Sequence, residues 1–201
     1  MIRLPRTARL LWRHVRYNPL LLGASHREAV ARQLGRLFVT TNAFLRETGV
    51  DYWLAFGTLL GQHREGQIIR GDVDVDFGLR ESDYTRVKKA ASRLPPGFRL
   101  QDTSARHLGP KLYVEWDGWE ADLYFYRAEQ SWLLPLERGT FPGERSKIPD
   151  EFVFPLQSAT FLGQETWLPA RPRELLEHHY GYLGSDAVRD RATGYFVRQR
   201  N

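Results

Sequence analysis

At 201 residues, with 42% apolar and 26% charged side chains, the chain has the composition of one globular domain large enough to bury a core, not that of a disordered segment. It has no cysteine, which excludes disulfides and thiolate metal sites. Its net charge of +5 sits at one end: residues 1–27 carry six arginines and no acid, leaving 23 of the 29 basic residues against all 24 acidic ones, so the body of the chain is close to neutral and is not expected to bind nucleic acid.

In chain order, the first expected element is a basic amphipathic helix over Leu4–Tyr17. Leu4, Ala8, Leu11, Trp12 and Val15 fall on one stripe, with Arg6, Arg9, Arg13 and Arg16 largely on the other. Residues 1–24 thus form a segment of their own, either lying on an anionic membrane surface or packing on the domain with a solvated arginine face. Leu20–Leu22 is too short to read as a signal peptide core, and no stretch reaches the roughly 18 residues that span a bilayer. Residues 25–201 form the domain. Ser25 and Glu28 make a capping box for a helix that runs to about Thr48 and stops at Gly49, with Leu34, Leu37, Phe38, Thr41, Phe44 and Leu45 facing a sheet. Val50–Phe56 is the first expected strand, Gly57 begins a short helix, and Asp72–Gly78 is the second strand. A helix over Ser82–Leu94 ends at Pro95-Pro96. Lys111–Trp116 and Trp119–Tyr126 read as a hairpin through Asp117-Gly118, a type I′ signal. Trp132–Leu136 adds a strand, Gly139–Asp150 is a long loop, and Pro172–His179 is the last helix.

The chemistry concentrates in Asp72-Val73-Asp74-Val75-Asp76-Phe77. With a side-chain period of two, Asp72, Asp74 and Asp76 share one strand face. An alternating run of this kind also suits the wet face of a surface strand. Three carboxylates a few ångströms apart raise one another's pKa unless a cation intervenes, and an oxygen-only set favours Mg²⁺ or Mn²⁺ over zinc. Ahead of the run, Gly57-Thr58 turns an apolar stretch into a helix N-terminus, whose N–H groups and dipole suit a phosphate.

Taken together, Gly57-Thr58-Leu59-Leu60-Gly61, Arg64, Gly66, Ile68-Ile69 and Asp72-Val73-Asp74-Val75-Asp76 resemble the signature of the LicD/fukutin family. Glu120-Ala121-Asp122-Leu123-Tyr124 resembles the family's later strand with one further aspartate. Phe154-Pro155-Leu156, Phe161-Leu162-Gly163, Leu168-Pro169, Leu175-Leu176 and Tyr180-Gly181 resemble its C-terminal part. The chain departs from the family in having Arg70-Gly71 where Pro-Trp often precedes the first aspartate, and Val73 where another aspartate often follows it.

The resemblance implies an α+β, nucleotidyltransferase-like domain of the polymerase-β type, a mixed sheet flanked by helices. It also implies a transferase that moves phosphocholine or an alditol phosphate from a CDP-activated donor, such as CDP-choline or CDP-ribitol, to a glycan or lipid-linked glycan. A CDP-linked donor fits the cytoplasm. On this reading Asp72, Asp74, Asp76 and Asp122 hold the metal. Asp74 belongs to the Asp-x-Asp pair in either register, and Asp122 is a further ligand or the base that takes the acceptor proton. Gly57 and Thr58 cradle a phosphate through their backbone, and Arg64 contacts it in bidentate fashion. Two other readings stay open: nucleotidyl transfer from an NTP, and a non-catalytic module that binds nucleotide or glycan. His63 reads as a surface residue, His178-His179 as positive charge at a helix C-terminus, and Tyr113, Trp116, Trp119, Tyr124 and Tyr126 as packing in preference to a choline cage.

Overall fold

The computed structural model describes residues 24–138 and 146–199. The expected helix over Leu4–Tyr17 and the stretch 139–145 of the expected loop lie outside them. The elements run α1 (Ala24–Thr48), β1 (Tyr52–Leu54), α2 (Phe56–Glu65), β2 (Asp74–Arg80), α3 (Tyr84–Lys89), β3 (Phe98–Asp102), β4 (Lys111–Trp116), β5 (Trp119–Glu129), β6 (Trp132–Pro135) and β7 (Ile148–Pro149). They continue as α4 (Asp150–Val153), β8 (Gln157–Phe161), β9 (Gln164–Leu168), α5 (Pro172–Tyr180), β10 (Ala187–Arg189) and β11 (Phe196–Arg198). The class is α+β, as expected: β1-β2-β5-β4-β3 make a mixed sheet, β6 extends from β5 and β7 from β6, while β8–β9 and β10–β11 form separate hairpins. In the main sheet β2 and β5 run parallel, and the other pairs are antiparallel.

Alternation along the strands decides what each sheet face does. Val75, Phe77 and Leu79 of β2, Leu112 and Val114 of β4, and Ala121, Leu123 and Phe125 of β5 form one face, and all are buried. Helix α1 lies on it through Leu34, Leu37, Phe38 and Leu45. Phe38 stacks on Phe77 with ring centroids 5.8 Å apart and meets Phe161 of β8 edge-on at 4.9 Å. The helix ends at Gly49, whose φ of +65° is the left-handed conformation that glycine adopts without a Cβ clash.

Several elements differ from expectation. β1 is shorter than Val50–Phe56: the Ala55 N–H still donates to the Asp76 carbonyl (3.1 Å), but Phe56, at φ +44°, turns the chain into α2. β2 starts at Asp74 and not at Asp72. The helix expected over Ser82–Leu94 is only α3, flanked by 3₁₀ turns at Glu81–Asp83 and Ala90–Arg93. Ser82, Asp83, Thr85 and Ser92 are weak helix formers, and within α3 and its flanking turns only Val87 and Ala90 are buried to support a longer one. β5 runs on to Glu129 because its end pairs with β6, Glu129 against Trp132. The loop expected to reach Asp150 closes earlier, as Ile148 pairs with Leu133 and Asp150 opens α4. The Asp117-Gly118 turn is as expected, with φ of +48° and +80°. β3, the β8–β9 hairpin and β10–β11 carried no recognised signal. In the β8–β9 turn the first left-handed position is Leu162 at φ +49°, a residue that does not announce such a turn.

Candidate active site

The opposite face of the same strands is polar. Asp74 and Asp76 project to it from β2, and the parallel register sets Asp74 beside Glu120 and Asp76 beside Asp122. β4 adds Lys111, Tyr113 and Glu115, with Tyr113 opposite Asp122 and Lys111 opposite Tyr124. This face is also buried: Asp76 is 6% exposed, Asp122 8% and Lys111 0%. Its far end is closed by Trp53, whose ring lies so close over Gly78 that a Cβ there would come within 2.2 Å of it; Tyr126 and Phe154 pack around that indole.

The turn from β1 into α2 holds Asp76 by its backbone. Besides the Ala55 contact, the Asp76 N–H donates to the Thr58 hydroxyl at 2.8 Å, and Thr58 is itself buried. Asp72 reaches the same place from outside the strand, which corrects the expectation that three alternate aspartates share one strand face. Its N–H donates to the Ile69 carbonyl (3.1 Å), and its carboxylate lies against Gly57, where a Cβ would stand 2.7 Å from Oδ2. Glycine at 57 is therefore what lets Asp72 approach α2.

The electrostatics mark a site under repulsion. Burial, then the neighbouring Asp74, pushes the Asp72 carboxyl up to about 7. Burial, then Asp74, Asp122 and Asp72, holds Asp76 well above the carboxylate range, with Lys111 acting in the opposite sense. Two phenols feel the same field. Burial and then Asp76 raise Tyr124 and Tyr180 above the usual phenol range, so both stay protonated near the carboxylates. Lys111 is the counter-charge. Its Nζ is 2.9 Å from Asp122 Oδ1, 3.4 Å from Glu137 Oε2 and 3.3 Å from the centroid of the Tyr124 ring.

The donor set fits a hard divalent cation. All donors are carboxylate oxygens, and they repel one another. The aspartates are gathered without being closed around a point: among the described residues no three carboxylate or imidazole groups stand close enough to hold one ion.

The remaining expected residues divide. Gly57 borders the cluster, while the Thr58 side chain serves the backbone of β2. Arg64 is exposed in the last turn of α2, about 10 Å along the helix axis from Gly57, and reaches the Leu183 carbonyl at 3.5 Å. His63 is exposed, as expected. His178 contacts the Lys147 carbonyl at 2.8 Å. His179 departs from expectation. It is buried, stacks on Phe56 at 5.1 Å, and burial, followed by His178, pushes it down to about 3, so it brings no positive charge to the end of α5. The aromatic residues pack: Trp116 stacks on Phe98 at 5.3 Å, Tyr124 meets Phe56 edge-on at 4.7 Å, and Tyr113, Trp119 and Tyr126 are buried.

Lys111, Glu137 and Tyr180 escaped the sequence reading as site residues. Lys111 was legible, since the Asp117-Gly118 turn fixes a register that carries it to the face of Asp122. Tyr180 stood in a family-like block without a role and ends a helix, and Glu137 lies in a loop with no local signal. A cavity of about 910 Å³ lies elsewhere, between α1 and residues 66–70, with Arg32, Arg36 and Arg70 in its wall and none of the four aspartates. Among the described residues no helix is long and apolar enough to cross a membrane.

A family model described as "LicD/FKTN/FKRP, nucleotidyltransferase domain" matches residues 49–171, more than half of the chain. The chain belongs to the LicD/FKTN/FKRP family. The match takes in the LicD-like blocks from Gly57 to Pro169, and it ends before Leu175-Leu176 and Tyr180-Gly181. Among curated relatives, an uncharacterized protein of Rickettsia typhi is 25% identical over 153 residues, 76% of this chain and 47% of that protein. The human ribitol 5-phosphate transferase FKRP is 29% identical over 145 residues, 68% of this chain and 29% of its own length. This LicD-family chain therefore spans about half the length of the first relative and less than a third of the second. Among solved structures, ANT(2″)-Ia in complex with adenylyl-2″-tobramycin aligns over 67% of this chain and 68% of that one, at 14% identity and a TM-score of 0.41.

Proposed function

We propose that the protein is a metal-dependent transferase that moves phosphocholine or an alditol phosphate from a CDP-linked donor to a glycan acceptor, on a nucleotidyltransferase-like domain. The observation that carries the reading is the buried register of Asp76 beside Asp122 on parallel strands, with Asp74 and Asp72 adjoining. Mutual repulsion in that group favours a cation. Membership of the LicD/FKTN/FKRP family supplies the reaction class.

Asp74 and Asp76, which share the strand face, would hold Mg²⁺ or Mn²⁺, with Asp72 and Asp122 at its flanks. When bound there, it would neutralise phosphate charge, the main requirement of phosphoryl transfer. Asp122 accepts the proton of the attacking acceptor hydroxyl. The N-terminus of α2, at Gly57, turns its positive dipole end toward the carboxylates and toward a donor phosphate brought beside them. Trp53 and its aromatic neighbours exclude water from the far end of the face. A CDP-linked donor puts the reaction in the cytoplasm, and residues 1–24 are the segment that would meet a membrane-borne, lipid-linked acceptor.

Calorimetric titration with CDP-choline, CDP-ribitol, CDP-glycerol and CTP, in Mn²⁺ and in EDTA, tests this. Mn²⁺-dependent binding of one CDP-alcohol, absent in Asp74→Asn, is expected. Binding of CTP alone, with pyrophosphate as the product, would replace the reading with nucleotidyl transfer. No binding of any of the four would leave a non-catalytic module.

A further inference from the structure

Lys111 has no solvent exposure. A lysine removed from water must give its charge to fixed partners. Both ends of this one are held. Its backbone N–H donates to the Ser104 hydroxyl at 3.0 Å, and its carbonyl accepts from the Thr103 N–H at 3.0 Å. At the other end, Nζ lies over the Tyr124 ring, 2.9 Å from Asp122 Oδ1 and 3.4 Å from Glu137 Oε2.

Building on the transferase reading above, we propose that Lys111 is a positioning residue: it takes Oδ1 of Asp122 and so fixes the carboxylate with Oδ2 free for the reaction. Nζ and Oδ1 meet as an ion pair and not as an aligned hydrogen bond, so Lys111 holds the carboxylate by charge at short range. A positive charge at this place opposes a second cation bound by Asp74 and Asp76 next to it, so Lys111 is not there to strengthen metal binding. What it supplies is a set direction for Asp122, and a misplacement of about 1 Å in a reacting group can slow a reaction on the order of 100-fold.

The test uses Lys111→Met, Asp122→Asn and the double variant, with CMP release from the CDP-alcohol that binds, Mn²⁺ titration by calorimetry, and melting curves. The wild type must release CMP in Mn²⁺; if it does not, the transferase reading fails before Lys111 is at issue. Given that activity, Lys111→Met is expected to lower kcat on the order of 100-fold. The donor KM should stay within about threefold, as expected for a group that acts on the chemical step and not on ground-state binding. Mn²⁺ should bind at least as tightly as to the wild type. The double variant should be no slower than Asp122→Asn, since Lys111 acts through Asp122. A folded Lys111→Met with wild-type kcat, weaker Mn²⁺ binding in that variant, or a double variant slower than Asp122→Asn by the full Lys111→Met factor would each overturn the proposal. Should Lys111→Met not fold, the double variant, with the pair neutralised, carries the comparison with Asp122→Asn.

Discussion

β2, β4 and β5 bury both of their faces, and the two faces do opposite things. Toward α1, Val75, Phe77, Leu123 and Phe125 fill space with hydrocarbon. One residue away along each strand, Asp76, Asp122, Glu120 and Lys111 are as deeply placed but carry charge. The first face stabilises the fold by removing apolar surface from water, about 25 cal/mol per Å². The second loses stability to desolvation and repulsion, which Lys111 offsets in part. A strand that alternates between these environments is held together by its apolar half, and on the proposed reading it would work through its acidic half.

This difference can be broken from either side. The largest effect is on activity: Asp74→Asn or Asp76→Asn should abolish Mn²⁺-dependent CMP release while leaving the fold intact, which an assay paired with circular dichroism would show. On the other face, Phe77→Ala should lower unfolding free energy by about 3–5 kcal/mol in urea titrations, the range for removing a buried phenyl ring. Its activity should fall only with the folded fraction.

A smaller effect sharpens the comparison through pH. Asp72 titrates at about 7 in the folded chain against an ordinary value of 3.8, so between these the folded state binds the proton that the unfolded state has lost. Stability in metal-free buffer should therefore fall as pH rises from about 4 to 7, by about 2 kcal/mol once partial exposure is allowed for. Asp72→Asn should lessen that slope in melts taken across the window, the remainder coming from Asp76, which is also raised. The smallest effect is steric. Gly57→Ala should push the Asp72 carboxylate out of place and slow turnover on the order of tenfold, with a melting temperature within a few degrees of wild type.

The sequence made the apolar half easy to read. The 3.6 periodicity of Leu34, Leu37, Phe38, Thr41 and Leu45, the glycine stop at 49 and the Asp117-Gly118 turn all follow from local chemistry, and α1, β4 and the start of β5 are where they place them. Asp74, Asp76 and Asp122 were legible as a pattern, and parallel pairing of β2 with β5 is what joins them. Asp72 looked like part of the strand because alternation continues through it; the Ile69–Asp72 turn, set by tertiary packing against Gly57, breaks the pattern. Arg64 was drawn to the phosphate by its place in the signature, and the structure puts it at the opposite end of α2 from Gly57. His179 carries no positive charge because burial against Phe56 outweighs the helix-end field. Burial of a charged residue, as at Lys111, depends on what packs above it, and that is a property of the whole fold.

The measurement that tests the account most directly is a set of four melting curves, wild type and Asp76→Asn, each in EDTA and in Mn²⁺ with the bound CDP-alcohol. The account predicts that Asp76→Asn melts higher than wild type in EDTA, because one repelling carboxylate is gone, and that Mn²⁺ with donor raises the wild type alone. An Asp76→Asn variant that melts lower in EDTA, with both proteins shifted equally by Mn²⁺ and donor, would contradict it and make the acidic face a structural element instead of a site.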